Sequence, residues 1–327
     1  MRFKWLKHIL LIILFLLVLS IVLLFIPRVW SALNPDKPPV GYFFVAPVYL
    51  ALWTGIEKTV NLTPEIPSDI REIKNIEYKN INGKSLQLDI YIPENIQKPA
   101  PLLVFIHGGG WRSGKRSDYL VYLLDFARRG YITATVSYRL VADSCYPACV
   151  EDISDAVRWL FNNGADYGYD PDRIALIGGS AGAHLALLTA YGWKKPGSYA
   201  DSLEGKRIKA VVDIYGPYDL TTEYARTHNL VTTFIDHSYE NSPDLYRVAS
   251  PKQYLDKGDP PTMILHGTSD ELVPVSQSDS LAAKLSSLGI PYVYYRLPGW
   301  PHVMDIISRV NVYSQEKMVA FFKEYLK

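Results

Sequence analysis

At 327 residues the chain exceeds the usual single domain of about 100–200 residues, although α/β folds commonly run past about 200 as one unit. Its composition, 48% hydrophobic and 20% charged, is that of a globular protein with a large core. A formal net charge of +1 excludes the basic or acidic excess that marks partners such as nucleic acid.

From the amino end, Ile9 to Ile26 is an unbroken run of 18 uncharged residues with Ser20 as its one polar member, long enough for a membrane span. It is longer than the apolar region of a cleaved signal peptide, and Val29-Trp30-Ser31 is a poor cleavage site, so the run reads as an uncleaved anchor over residues 1–30. A core helix would carry a polar face, and this one has none. Arg2, Lys4 and Lys7 precede the run, whereas Arg28 and Lys37, offset by Asp36, follow it; the basic side stays in the cytoplasm and the remainder lies outside.

Residues 31–70 hold a linker and an aromatic stretch. After the proline-rich break at 34–39, Val40 to Trp53 carries Tyr42, Phe43, Phe44, Tyr49 and Trp53 but is short for a span and contains Pro47. An interfacial segment in the membrane and a helix packed on the next domain account for it equally well. Asn61-Leu62-Thr63 is a glycan acceptor only in a eukaryotic secretory setting.

Residues 71–327 alternate strands and helices. Residues 76–93 read as a hairpin, with Asn82-Gly83 supplying the positive φ of a tight turn and Leu86, Leu88, Ile90 and Ile92 alternating beyond it. PLLVFI is a strand covered on both faces and runs directly into His107-Gly108-Gly109-Gly110-Trp111. A helix around Asp118 to Arg129, the strand YITATVSY and a helix from Val150 to Phe161 follow. Between the last two, Cys145 and Cys149 are able to pair outside the cytoplasm or to serve as two small buried hydrophobes. No further cysteine or histidine cluster completes a metal site. Then come RIALIGGSAGAHLALLTA as strand, turn and helix, the strands IKAVVDIYG and PTMILHG, a helix ended by Gly289, the strand PYVYYRL and a last helix. This alternation predicts an α/β fold, a mainly parallel sheet with helices on both faces. Residues 221–254 break the rhythm and read either as a lid or pocket wall or as a plain surface insertion.

Gly178-Gly179-Ser180-Ala181-Gly182 lies between a buried strand and a helix, the context in which G-x-S-x-G has meaning. So tight a turn strains the serine backbone and excludes bulk two residues to either side. It presents the hydroxyl at the sheet edge, by the positive end of a helix. A serine is a poor nucleophile without a base and an acid to orient that base. Of seven histidines, His302 follows the final strand at the same sheet edge. His8 belongs to the anchor, His107, His184 and His266 to packing, and His228 and His237 to the insert. Chain order puts the acid between serine and histidine, at Asp270 after the strand PTMILHG, with Glu271 and Asp219 as substitutes. Gly109 and Gly110, with the N–H of Ala181, are the candidate oxyanion donors, and Gly108 makes the turn. No lysine and serine follow to make this a phosphate loop.

HGGGW, Tyr138-Arg139-Leu140, Tyr146-Pro147-Ala148, AVRWL, GGSAGAH and HGTSDELVP together resemble the α/β-hydrolase carboxylesterases of bacteria, allied to the hormone-sensitive-lipase group and the feruloyl or acetyl-xylan esterase-like families. The resemblance covers about residues 75–325 and implies a Ser-His-Asp esterase that uses no cofactor and acts on small-molecule or carbohydrate esters, with a short to medium acyl chain as the expectation. It leaves a membrane-directed lipase open. It also leaves open a non-catalytic scaffold on the same fold, which would have no use for Ser180, Asp270, His302 and the glycine loop together. A related oligopeptidase would need a propeller that the preceding 70 or so residues cannot build. Acyl and alcohol specificity and oligomeric state are not written in the sequence.

Overall fold

The computed structural model describes residues 2–193, 195, 198–199 and 205–327; Met1, first in the anchor segment expected at 1–30, lies outside them. Helix α1 (Arg2–Leu33) is long and apolar enough to cross a membrane: the described side chains from Leu10 to Leu23 all stand exposed. A short helix α2 (Val45–Trp53) follows, buried only through Val48 and Ala51.

The hairpin forms as its alternation dictates, β1 (Ile70–Ile81) pairing antiparallel with β2 (Lys84–Pro93) around Asn82 and Gly83, both at positive φ. From there the chain winds β3 (Ala100–Ile106), a 3-10 turn at Arg116–Tyr119, α3 (Leu120–Arg128), β4 (Ile132–Val136), α4 (Ala148–Asn162), α5 (Gly164–Tyr167), β5 (Tyr169–Gly179) and α6 (Ala181–Gly192). After β6 (Ala210–Ile214), the irregular stretch folds as three short helices, α7 (Glu223–Thr227), α8 (Asn229–Ile235) and α9 (Pro243–Val248). Strand β7 (Thr262–Gly267), α10 (Ser276–Leu288), β8 (Tyr292–Leu297) and α11 (Ser308–Tyr325) complete the chain. The eight strands form one sheet in the order β1-β2-β4-β3-β5-β6-β7-β8, parallel from β4 onward, with the first two strands antiparallel to their neighbours.

Side chains alternate across the central strands and so build a core on each face. Leu102, Val104 and Ile106 of β3 join Ile153, Val157 and Leu160 of α4 and Leu185, Leu187 and Tyr191 of α6 on one side. Leu103 and Phe105 join Leu123 and Phe126 of α3 and Val310, Met318 and Phe322 of α11 on the other. Helix α6, mostly apolar, is buried along its entire length against the sheet and α4. Truncating a fully buried side chain such as Phe105 to alanine would cost about 3–5 kcal/mol.

Three expectations need adjusting. The helix expected around Asp118 to Arg129 starts with the 3-10 turn, α1 runs past the expected anchor segment to Leu33, and β5 begins five residues before the apolar run that announced it, because Tyr169 already pairs with Ala100. Both cysteines are free thiols: Cys149 is buried in the first turn of α4, and Cys145 contacts the Thr233 carbonyl.

Candidate active site

Strand β5 ends beside β3 and β6, with Ile106 opposite Gly178 and Gly179 opposite Ile214, and Ser180 follows at once as the N-cap of α6. Its backbone, φ 55° and ψ −124°, lies in a region that only a tight and well-supported turn holds a serine in. The support is visible at the glycines. A Cβ on Gly178 would strike the backbone of Gly182, and one on Gly182 would strike the Ile106 carbonyl. Any larger residue would push the turn off the sheet edge.

His302 Nε2 stands 3.0 Å from Ser180 Oγ, and its Nδ1 stands 2.6 Å from Asp270 Oδ2. A carboxylate only accepts, so the ring proton belongs on Nδ1 and leaves Nε2 free to accept from the serine hydroxyl. Asp270 Oδ1 accepts the N–H groups of Leu272 and Val273 at 2.9 and 2.8 Å, which fixes the carboxylate plane. Burial pushes its pKa up, but the hydrogen bonds from His266 and His302 outweigh that and hold it down at about 2.

His266 is the member of this group that the sequence did not announce. Its Nε2 faces Asp270 Oδ2 at 3.2 Å and the Val273 carbonyl at 2.9 Å, two acceptors that place the proton there; Nδ1 then accepts from the Ser278 hydroxyl at 2.7 Å. Its one signal in the sequence was its place at the end of a strand, four residues before Asp270.

The glycine run lies across the end of β3, facing the serine. Gly109 and Gly110 both have positive φ, and a Cβ on Gly108 would meet the Gly179 carbonyl at 2.7 Å. Among the described residues, the N–H groups of Gly109, Gly110 and Ala181 donate to no backbone acceptor. Together with Ser180 and His302, the glycines line a cavity of about 660 Å³. Tyr215, at positive φ just past β6, packs its ring 4.6 Å from that of His302, and its hydroxyl donates to the buried carboxylate of Asp305. Burial holds the Asp305 pKa up.

The other candidates are engaged elsewhere. Asp219 accepts from Thr221 and Lys252, and Glu271 is exposed. His107 stacks on Tyr138, His184 is buried with Nε2 at 2.8 Å from the Ala249 carbonyl, and His228 caps α8. Burial lowers the His184 pKa to about 4, so it is neutral. Among the described residues no cluster of histidine, cysteine and carboxylate side chains is placed to hold a metal ion.

The chain matches the sequence model of the BD-FAE family over residues 88–285. Esterase LipQ of Mycobacterium tuberculosis is 33% identical over 275 residues, covering 79% of this chain and 63% of LipQ. Esterase LipC of the same organism is 30% identical over 293 residues, covering 85% and 72%. The chain thus spans less than two thirds of LipQ. Among solved structures, the propionate-bound esterase Est2 of Thermogutta terrifontis superposes with a TM-score of 0.66 at 25% identity, over 81% of this chain and 97% of that one.

Proposed function

The chain belongs to the BD-FAE family of α/β-hydrolase carboxylesterases, and from that membership we propose that it cleaves carboxylic esters through an acyl-enzyme on Ser180. The observation that carries the reading is His302, bridging Ser180 and Asp270 at 3.0 and 2.6 Å.

His302 Nε2 takes the hydroxyl proton as Ser180 Oγ bonds to the ester carbonyl carbon, and Asp270 stabilises the imidazolium that forms. The carbonyl oxygen, now an oxyanion, accepts from the N–H groups of Gly109, Gly110 and Ala181. Collapse breaks the bond to the alkoxide, which receives the proton from Nε2 and leaves as alcohol. Water then gives a proton to the same nitrogen, attacks the acyl carbon, and releases the acid and the serine. Each step is carried by groups of this chain and by water.

The space beside Ser180 toward Trp111, Pro217 and Tyr224 is about 10 Å³, so an acyl group that points to that side has to be short. The propionate in Thermogutta Est2 accords with that. Helix α1 serves as an uncleaved anchor, and the basic residues before its apolar run keep its start in the cytoplasm with the catalytic domain outside.

The test uses the full chain with p-nitrophenyl acetate. The expected result is steady hydrolysis that Ser180→Ala lowers by about 10⁴-fold or more, with an unchanged melting transition. Equal rates in the two proteins would refute the mechanism, and no hydrolysis in either would favour a scaffold.

A further inference from the structure

Beside the cavity above Ser180 lies a second hollow of about 340 Å³, and Leu272, His302, Val303 and Ile306 line both. Its far wall is α2. Val45, Val48, Tyr49 and Leu52 face it, spaced i, i+3, i+4 and i+7, which is one stripe of a helix. Ala46, Pro47 and Leu50 of the same helix face the other way, into an apolar groove of about 630 Å³ whose opposite wall is α1 between Ser20 and Trp30. Helix α2 is therefore a partition one helix thick, with the apolar span on one side and the histidine of the active site on the other.

Two features say what surrounds this partition. No charged residue occurs from Val40 to Gly55, and Phe44, Tyr49 and Trp53 stand 71%, 68% and 84% exposed, an aromatic rim of the kind that settles at a bilayer interface. The groove against α1 opens at the level where the apolar run ends, since Leu23, Leu24 and Ile26 line it and Arg28 lies just beyond. An α2 seated in the outer interface therefore continues the surface that α1 presents to lipid.

We propose that α2 lies in the bilayer interface and that the hollow between it and His302 receives the hydrocarbon tail of the leaving alcohol, so that the substrates are short-acyl esters of long-chain alcohols held in the membrane. This rests on the acyl-enzyme reading: His302 hands its proton to the leaving oxygen, so the substrate half beyond its ring is the alcohol. The acyl half meets the tight side near Trp111. Among the described residues, Glu271 alone brings a charged side chain to the tail hollow, and the apolar remainder suits an apolar guest.

The full-length protein in phosphatidylcholine vesicles provides the test, with ethyl acetate, dodecyl acetate and ethyl dodecanoate as substrates. The wild type is expected to show a kcat/KM ratio of dodecyl acetate to ethyl acetate of about tenfold or more, and no gain with ethyl dodecanoate. Val45→Trp and Leu52→Trp, each at a half-buried position and each filling the hollow, should bring that ratio toward unity. A ratio unmoved by both variants, or a preference carried by ethyl dodecanoate, would overturn the proposal. The acyl-enzyme reading fails separately, if Ser180→Ala hydrolyses ethyl acetate as the wild type does.

Discussion

Asp213 near the end of β6 and Asp270 just past the end of β7 are both buried, yet their surroundings drive them in opposite directions. Burial pushes the Asp270 pKa up, but His266 and His302 outweigh it and hold it at about 2, below the ordinary carboxylate value, so its ionised form stabilises the fold above pH about 4 and that contribution is lost as pH falls through 2. Asp213 has one partner, the Gly216 N–H at 2.7 Å, and its other oxygen has none among the described residues. Burial lifts its pKa to about 7. Its carboxyl is thus neutral at low pH, and stability declines as pH rises from about 4 through 7, where burying the charge becomes unavoidable. Asp213→Asn keeps the acceptor for Gly216 and removes the charge. Urea titrations should find it about 2 kcal/mol more stable than the wild type at pH 8 and indistinguishable at pH 4; a gain equal at both values would mean that the charge is not the cause. At this scale the sequence was most informative about Ser180 and its glycines, because a strained turn restricts residue types at fixed spacing. It was silent on His266, whose link to Asp270 depends on how the loop 268–273 folds back.

The segment from Val40 to Trp53 illustrates why one element resisted reading. A helix with an apolar groove on one side and an apolar hollow on the other has no polar face, so periodicity cannot say which side is which. Its anchoring was equally hidden, since the partners lie some 250 residues away. Trp300 Nε1 donates to the Pro39 carbonyl at 2.9 Å, and the N–H groups of Gly41 and Tyr42 donate to Pro298 and Gly299 at 2.7 and 2.9 Å. Arg309 ties the same region from α11: it donates to Glu57 at 2.9 Å and to the Val40 carbonyl at 2.8 Å, with its guanidinium 4.6 Å over the Trp300 ring. The residues before β1 therefore brace the loop that carries His302. Glu57→Gln, which leaves Arg309 without its buried counter-charge, should cost about 3 kcal/mol in chemical denaturation. A chain starting after residue 60 should lose kcat by more than its KM changes. Full kcat in that truncated chain would show that the loop needs no brace.

For the molecule as a whole, the alternation of strands and helices made the parallel sheet and its two cores legible. The strand order was not, because the antiparallel edge and the placing of β4 between β2 and β3 are set by long-range pairing. A helix long and apolar enough to cross a membrane was legible by length and hydropathy alone. If α1 holds the protein in a bilayer, the full chain should stay with the membrane fraction through a wash in high salt and leave it in detergent; release by salt would mean that only surface charge retains it. Everything proposed for the site depends on one nucleophile, and a fluorophosphonate that traps activated serines tests it most directly. Intact-mass and peptide analysis should find one adduct, on Ser180, whose rise matches the loss of ester hydrolysis and which is absent from Ser180→Ala and slowed in Asp270→Asn. An adduct on another residue, or hydrolysis that persists with Ser180 fully modified, would contradict the account.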